Sequence, residues 1–422
     1  MKQLVDQLVV RMGQDPSTWV LTPWAYLIAM MVAGVGMTSF AAVFAGLTSY
    51  WERRVAARMQ SRVGPNRVGP FGLLQWVADA LKLIMKEDLI ASSADRVLFR
   101  LAPYFLLIAT VTTFVVLPFG YRLGVTDMNV GLFFLVAATA LSVIGVLLSG
   151  WASNSKWSLF GGMRAAAQVV SYEVPAGLAV MVPVIAAGSL SLHTIIRAQG
   201  GFPWDWFMFQ TPMGFAAFFV LFLALLAEGN RTPFDLPEAE SELVSGYNTE
   251  YSGIRFGYFF LAEWGNLWVM SALVTTLFLG GWQVPGVSMP QLFAWEQADV
   301  VPMWFFAASL LVFCTKVVVL VNVIIWIRWT LPRFRVDQMM SLCWKWLVPI
   351  ALGCLVLAAA TEVASFELFG PSARLQAPLT SVRGVLHFVF FVATGGVPLV
   401  LFARKVARNI RLTGERADLG NW

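Results

Sequence analysis

Nine continuous apolar runs, each about 20 residues long, divide this chain. A helix of about 20 apolar residues spans the hydrocarbon core of a bilayer. Hydrophobic residues make up 58% of the 422 positions and charged residues 13%, whereas a soluble domain is about a quarter charged. The runs do not alternate with polar residues, which disfavours a transmembrane β-barrel. We therefore predict an all-α polytopic membrane protein. The predicted spans cover residues 22–50, 97–119, 130–150, 161–187, 212–228, 254–281, 302–329, 343–363 and 382–403.

Positive charge is distributed unevenly over the connections between these spans. Of the 29 Lys and Arg residues, nine fall within residues 51–100, and most others lie in alternate connections after it. Because cytoplasmic connections are enriched in Lys and Arg, the bias predicts an external N-terminus and a cytoplasmic C-terminus. The first run ends in the basic sequence Glu52-Arg53-Arg54 and not in a small-residue cleavage site, so we expect no removable signal peptide.

Carboxylates are concentrated between the fifth and sixth runs. Seven of the 24 acidic residues lie in the 36 positions from Glu228 to Glu263, and carboxylates beside a bilayer usually handle protons or cations because their placement there is costly. Asp235 and Glu238 also fit a simpler role, an N-cap followed three residues later by a second carboxylate. Glu240, Glu242 and Glu250 do not fit that role. Their mutual repulsion predicts a coupled set that takes up and releases protons.

Glu173 lies well inside the fourth apolar run. It shares a helical stripe with Gly162 and Gly177, and small residues of this kind are typical of helix–helix contacts. Arg164 lies on the opposite side of the helix and more than two turns away, so the two residues cannot pair within it. A buried carboxyl group without a close partner tends to keep its proton. We interpret Glu173 as a proton-handling group, with a structural hydrogen bond to a neighbouring helix as the alternative.

Three more ionisable residues lie within or at the end of a run. Glu52 ends the first run, where its side chain can extend to the interface. Glu263 lies within the sixth run. Lys316 lies midway along the seventh run and cannot easily reach either interface, so we expect a partner or a water-filled cavity beside it.

Residues 68–87 are too polar to span a bilayer, but their apolar positions recur at helical spacing. Pro70 marks the expected helix start. The pattern predicts an amphipathic helix that lies in the membrane interface. Taken alone it favours simple anchoring, and the alternative is a gate through which a lipid-soluble substrate enters sideways.

A run of five arginines precedes this helix, within residues 53–67. Cytoplasmic charge alone would account for them. However, the dipeptides Gly64-Pro65 and Gly69-Pro70 are rigid turn formers, and a solvated charge run does not need two of them. The combination predicts a fixed loop that docks another component.

Redox and nucleotide chemistry find little support in the sequence. The three cysteines lie in apolar runs and form no C-x-x-C pair, and the two histidines are far apart in sequence. We see no phosphate-binding glycine-rich loop, no H-E-x-x-H motif and no nucleophile elbow. We therefore expect no redox centre, no metal site and no nucleotide hydrolysis on this chain.

Several long motifs resemble the H-subunit family of NADH-quinone oxidoreductase, which is respiratory complex I. They follow the family order from about residue 20 to residue 365. The motifs are Glu52-Arg53-Arg54, Arg62-Val-Gly-Pro-Asn-Arg67-Val-Gly-Pro70, Ala78-Asp79 with Lys82 and Lys86-Glu87-Asp88, Met163-Arg-Ala with Gln168 and Ser171-Tyr-Glu173, Asn230-Arg-Thr-Pro-Phe-Asp-Leu-Pro-Glu-Ala-Glu-Ser-Glu-Leu-Val-Ser-Gly-Tyr-Asn-Thr-Glu250-Tyr, and Arg328-x-x-Leu-Pro-Arg333-x-Arg-x-Asp337-Gln.

The resemblance implies a chain of eight spans that forms much of a quinone-access channel and joins it to proton translocation. The implied acidic, proton-coupling path consists of Glu52, Glu173, Asp235, Glu238, Glu240, Glu242, Glu250 and Glu263, and Lys316 matches a family lysine in the same span. The implied quinone-channel residues are Arg53, Arg62, Phe71, Leu74, Val77, Asp79, Lys82, Tyr247, Arg255 and Phe256, with the 68–87 helix at the entrance.

The same resemblance sets expectations for activity and partners. The chain would be a non-redox subunit of a proton-translocating NADH:quinone oxidoreductase in a bacterial inner membrane. It would bind no cofactor and take quinone as substrate, while FMN and iron–sulfur clusters belong to partner subunits. Its partners would be hydrophilic quinone-site subunits on the cytoplasmic side, small membrane subunits and membrane lipid, with no nucleic acid.

The carboxyl end departs from the family pattern. We predict that residues 1–365 form a membrane domain like that of the H-subunit family, and that residues 366–422 are an extension with a ninth span and a basic tail. Two alternatives remain open at this point. One is the equivalent subunit of a membrane-bound hydrogenase or another donor:quinone complex. The other is a free-standing proton- or cation-coupled transporter, against which the absence of an internal repeat argues.

Overall fold

The computed structural model describes residues 23–237, 240–287, 289–297 and 301–369, and within them it is helical without a β-strand. The helices in chain order are α1 (Pro23–Met59), α2 (Gln75–Met85), α3 (Arg96–Val116), α4 (Gly131–Ala152), α5 (Lys156–Ala187), α6 (Leu192–Arg197), α7 (Phe207–Gln210), α8 (Pro212–Glu228), α9 (Glu240–Leu243), α10 (Gly253–Phe278), α11 (Met289–Gln297), α12 (Met303–Thr330), α13 (Val336–Leu342) and α14 (Val348–Phe369). A π-helical turn joins α13 to α14.

Eight of the nine predicted spans coincide with helices. By length and composition, α3, α4, α5, α12 and the joined segment Val336–Ala364 are apolar enough to cross a membrane, and α8 is a shorter apolar helix. The remaining two predicted spans coincide with α1 and α10. The all-α polytopic class is thus confirmed. The ninth predicted span, 382–403, lies outside the described residues, so the count of nine stays a prediction.

Helix α10 forms the centre of the bundle. Every residue from Leu267 to Phe278 is buried, and the helix packs against α1, α3, α8 and α12. A helix buried on all sides must satisfy its own polar groups, since no water reaches them. The hydroxyls of Ser271, Thr275 and Thr276 accordingly donate to carbonyls of the preceding turn.

Glycines allow α5 to approach its neighbours closely. A Cβ built on Gly161 would lie 2.7 Å from the Cα of Gly246, and one on Gly162 would lie 3.2 Å from the Cα of Gly150 in α4. Gly177 is different, because nothing lies within 4 Å of its Cβ position. The expectation that Gly177 marks a helix–helix contact was wrong, and the empty space there belongs to a cavity.

The interfacial helix begins later than the sequence predicts. Pro70–Gly72 forms a 3-10 turn, and α2 begins at Gln75. Glycines at the two ends of this turn have positive φ, 71° at Gly69 and 77° at Gly72. A Cβ on Gly72 would lie 2.3 Å from the carbonyl oxygen of Pro65. The turn therefore packs directly on the arginine-rich loop and cannot continue into the helix.

Replacement of Gly161 by Ala should destabilise the protein, because the added methyl group pushes α5 away from Gly246. Overpacking of this kind costs about 1–3 kcal/mol. The matched control is Gly353→Ala in α14, where nothing lies within 4 Å of the Cβ position and the change should be neutral or slightly stabilising. Thermal unfolding of the purified assembly measures both. Equal melting temperatures for the two variants would contradict the close-packing argument.

Candidate functional site

A cluster of buried ion pairs lies where α1, α10 and α12 meet the connection that follows α8. Glu52 of α1 accepts from Arg231 at 3.1 Å and from Arg328 of α12 at 2.5 Å. Arg231 also pairs with Glu263 of α10 at 3.2 Å. The side chains of Glu52 and Arg231 are 5% and 2% exposed. The expectation that Glu52 extends to the interface was therefore wrong, because two arginines hold it inside.

Arg231 is fixed by the connection that carries it. Its guanidinium carbon lies 4.4 Å from the ring centroid of Trp264 in α10, a cation–π contact. Gln168 of α5 is fully buried, and its amide nitrogen lies within hydrogen-bond distance of the carbonyl oxygens of Ala227 and Phe234, at 2.7 Å each. Gln168 thus ties both ends of the turn to α5, which explains why the turn keeps its shape.

Asp235 lies on the same connection and accepts from Arg333 at 3.1 Å. Burial raises the pKa of Asp235 above the usual aspartate range, although the Arg333 guanidinium acts in the opposite direction. The N-cap interpretation of Asp235 was wrong, because Leu236 and Pro237 are not helical and α9 begins at Glu240. Its carboxylate instead connects this loop to the segment between α12 and α13.

A cavity between α4, α5, α8 and α10 contains two carboxylates. Its polar lining residues are Glu173, Glu228, Thr139 and Asn266, and the rest of its lining is apolar. One carboxylate oxygen of Glu173 is buried without a hydrogen-bond partner among the described residues. Glu228 is 8% exposed. The expectation that Glu173 faces the bundle interior is confirmed by this position.

The rest of the acidic block is more dispersed. Glu242 pairs with Arg164 at 2.6 Å, and its side chain is 55% exposed. Glu250 is half-buried in the same connection. Glu238 and the side chain of Glu240 lie outside the described residues. Within this chain Glu242 is therefore exposed and does not have the low-dielectric surroundings that a strongly coupled acidic set would need.

Lys316 contacts the carboxyl end of α10. Its amine donates to the carbonyl oxygens of Leu279 at 2.7 Å and of Gly281 at 3.0 Å. It also lies 4.7 Å from the ring centroid of Trp206. The expectation of a partner for Lys316 is confirmed. The partners are backbone carbonyls, and no contact to the acidic block is seen in the described part of the chain.

The arginine-rich loop and α2 form a second site. Arg53 pairs with Asp79 of α2 at 2.5 Å. The carbonyl oxygen of Phe71 accepts from Arg54 at 2.8 Å and from the hydroxyl of Tyr50 at 2.9 Å. The loop is therefore held in one shape by hydrogen bonds from α1, as its turn dipeptides indicated.

Large apolar side chains on this site face outward. Phe71 is 74% exposed and Leu74 is 47% exposed, while Val77 is half-buried. Lys82 and Arg62 are also exposed. A basic rim around exposed apolar groups suits an element that lies at a membrane surface.

The three other predicted channel residues lie against a smaller hydrophobic core. Tyr247 is buried and packs edge-on against Phe259. Arg255 pairs with Asp88, just after α2, at 3.0 Å. Phe256 packs on the same core. The structure thus brings Arg255 close to the end of α2, while Tyr247 lies deeper inside the protein.

Within the described ranges, no group of three or more His, Cys, Asp or Glu side chains is arranged to hold a metal ion. All three cysteines are free thiols.

Comparison with known proteins decides the family. A family model described as NADH dehydrogenase matches residues 17–359. The NADH-quinone oxidoreductase H subunit of Anaeromyxobacter dehalogenans is 54% identical over 97% of this chain and 98% of that protein. Proteins of the same name from Chlorobium luteolum and Bacteroides thetaiotaomicron are 46% and 41% identical, over 74% and 82% of this chain and 82% and 94% of those proteins.

The chain belongs to the H-subunit family of NADH-quinone oxidoreductase.

Membership in the H-subunit family makes this chain a membrane component of an oxidoreductase complex. The family model ends at residue 359, so it leaves out the carboxyl-terminal segment. The match to the Anaeromyxobacter dehalogenans protein covers 97% of the chain and therefore must include most of residues 366–422. The segment is thus shared with at least one relative.

Sequence reasoning missed several members of the site. Arg231 and Arg328 read as ordinary loop and helix-end cations, but they neutralise Glu52. Glu228 opened the acidic stretch but was not assigned to the acidic path, although it shares the cavity with Glu173. Its position three residues before Arg231, at the end of an apolar run, was the available signal.

Replacement of Glu52 by Gln should strongly destabilise this protein, because two arginines then lose their buried counter-charge. Breaking a buried pair from one side costs about 3–5 kcal/mol. Glu242→Gln breaks the exposed pair with Arg164 and should cost about 0–1 kcal/mol. The yield and melting temperature of the assembled complex report both changes. Similar losses in the two variants would show that burial of the Glu52 cluster is not the cause.

Proposed function

We propose that this chain forms the quinone-access channel of a proton-translocating NADH:quinone oxidoreductase and couples quinone reduction to proton movement through its buried carboxylates. It acts without a redox centre of its own. Quinone is its substrate, and partner subunits carry the FMN and iron–sulfur clusters that deliver electrons.

The proposal rests on the position of the ion-pair cluster and the carboxylate cavity next to each other along α10. Glu263 belongs to the ion-pair cluster through Arg231. Asn266, one turn later on the same helix face, lines the cavity that contains Glu173 and Glu228. Arg231 itself follows Glu228 by three residues. Two charged regions, one near the acidic connection and one within the bundle, therefore meet along α10 and the end of α8.

The ion-pair cluster and the carboxylate cavity suit different steps of the proposed coupling between quinone reduction and proton movement. In the cluster, each carboxylate is neutralised by arginine, so the charges persist and respond to their surroundings as a network. In the cavity, two carboxyl groups share a mostly apolar space, and no arginine is among its lining residues. Like charges at short range disfavour double ionisation. Charge movement near the cluster, such as that of quinone reduction, would therefore change how protons are held in the cavity.

Quinone access is assigned to α2 and the arginine-rich loop. Exposed apolar residues on α2 suit a lipid-soluble tail, and the ion pair between Arg53 and Asp79 fixes the helix to α1. Tyr247, Arg255 and Phe256 continue the assigned channel inward. The proposed orientation places this loop and the acidic connection on the cytoplasmic side of a bacterial inner membrane.

That side is also where the hydrophilic partner subunits would dock, with small membrane subunits alongside the bundle. Residues 1–365 would form the shared membrane domain and residues 366–422 an extension. The names of the relatives support NADH as the donor to the complex. They favour this proposal over a hydrogenase-type subunit or a free-standing transporter.

Glu228→Gln should uncouple the enzyme in part. The substitution removes an exchangeable proton from the cavity while keeping its shape, so the rate of proton transfer should fall about tenfold, corresponding to about 1.4 kcal/mol on the transfer step, and pumped protons per NADH oxidised should fall as well. Gradient formation and NADH oxidation are measured together in membrane vesicles.

The matched control for Glu228→Gln is Glu367→Gln, because Glu367 is an exposed glutamate near the end of α14. It should pump normally. If Glu228→Gln also pumps at the wild-type ratio in a fully assembled complex, the coupling role of the cavity is wrong.

Leu74→Trp should narrow the proposed entrance. Long-tailed quinones should lose about tenfold in kcat/KM, or about 1.4 kcal/mol, and short-tailed quinones much less, because only the long tail must pass the enlarged side chain. Leu352→Trp is the control, since Leu352 on α14 is 50% exposed and α14 packs on α5 and α8, whereas α2 packs on α1 and α10. Equal effects on long-tailed and short-tailed quinones would show that α2 is not the quinone entrance.

A further inference from the structure

Helix α10 ends inside the protein. The segment that follows it is buried, with Trp282 at 0% and Gln283 at 2% exposure. The last turns of a helix leave backbone carbonyls without partners in their own helix. At membrane depth such groups must be satisfied by protein, because lipid offers no hydrogen bonds.

Two side chains satisfy this buried helix end. Gln199 lies after α6 and donates to the carbonyl oxygens of Thr276 at 3.0 Å and Leu277 at 3.3 Å. Lys316 of α12 donates to the carbonyl oxygens of Leu279 and Gly281. Gly280 and Gly281 both have positive φ, 71° and 50°, which turns the chain tightly enough for both contacts.

The carboxylate cavity and this helix end lie on one stripe of α10. Asn266, Val269, Met270 and Leu273 line the cavity. Thr276 and Leu277 follow at the next helical repeat and carry the carbonyls that accept from Gln199. These backbone carbonyls and the buried side chain of Gln199 therefore lie between cavity-lining Leu273 and the carbonyl of Leu279 that Lys316 contacts. Leu273 and Leu279 are six residues apart, which is about 9 Å along a helix.

We propose that Lys316 is a positively charged stopper that closes this end of the carboxylate cavity to protons. The proposal rests on the proposed function, in which the cavity carries protons. A fixed cation repels a proton that approaches it, as positive groups do in pores that exclude protons. The favourable field at a helix carboxyl end would otherwise attract one. Lys316 is thus a barrier and not a member of the acidic path.

The expected effect follows from Coulomb's law. At about 9 Å, the rise along α10 from Leu273 at the edge of the cavity to Leu279 beside Lys316, and with an effective dielectric constant of about 20, a unit charge changes the occupancy of a proton by on the order of tenfold. Removal of the charge should also leave two carbonyl oxygens that attract water. Both changes favour a passive leak past the end of α10.

The test measures passive proton conductance of the complete complex in proteoliposomes, without NADH or quinone. A pH gradient is imposed, the membrane potential is clamped with potassium and valinomycin, and the decay is followed with a pH-sensitive dye. Lys316→Met should speed the decay about tenfold over wild type. Lys316→Arg keeps the charge and should stay tight. A tight Lys316→Met complex would overturn the proposal.

Two further variants separate charge from packing and locate the leak. Lys316→Gln keeps hydrogen-bond donors without charge, so it should leak as Lys316→Met does; a tight Gln variant would show that the charge is not the barrier. Adding Glu228→Gln to Lys316→Met should restore tightness, because the leak runs through the cavity. A persistent leak in the double variant would overturn that route.

The failure of the stopper and the failure of the proposed function give different results. Pumping by Glu228→Gln alone is measured during turnover and does not depend on passive conductance. Normal pumping by the Glu228→Gln variant would show that the cavity has no coupling role. Lost pumping by the Glu228→Gln variant, together with no proton leak in the Lys316→Met complex, would contradict only the proposal that Lys316 is a stopper.

Discussion

The buried guanidinium of Arg231 is the point on which the site depends. It lies between Glu52 of α1 and Glu263 of α10, and it packs on the ring of Trp264. A charge that is 2% exposed is stable only with partners on several sides. Arg231 therefore fixes the positions of two helices and of the connection that leaves α8. The cavity lies directly beside that connection, so its shape depends on the same residue.

The spans could be predicted from sequence because each one is a local property. A run of about 20 apolar residues needs no knowledge of its neighbours to be recognised. The start of α2 could not be predicted in the same way. Pro70 is a good first residue for a helix, but Gly72 packs against the carbonyl of Pro65 in the preceding loop. That contact depends on how the loop folds and decides that the helix begins at Gln75.

The candidate site divides in the same manner. Glu173 was found because a carboxyl group in an apolar run stands out on its own. Glu52 was misread because its partners, Arg231 and Arg328, lie 179 and 276 residues away in sequence. The sequence pattern of one segment cannot reveal ion pairs with residues so far away in the chain. For Asp235 the local pattern was also misleading, because a capping sequence and an ion pair to Arg333 use the same carboxylate.

The structure sorts the ionisable groups by whether their charge is fixed. Glu52 and Glu263 are held by arginine, so losing either charge would leave the cluster with more arginines than carboxylates, a cost of several kcal/mol. Glu173 and Glu228 share a cavity instead, and a change of charge there breaks no ion pair seen among the described residues. Groups that change charge at low cost are suited to proton exchange. Groups that keep their charge are suited to transmitting an electric field. The proposed coupling of quinone chemistry to proton movement needs both kinds of group. Helix α10 contacts both within a single turn, the ion-pair cluster at Glu263 and the cavity at Asn266.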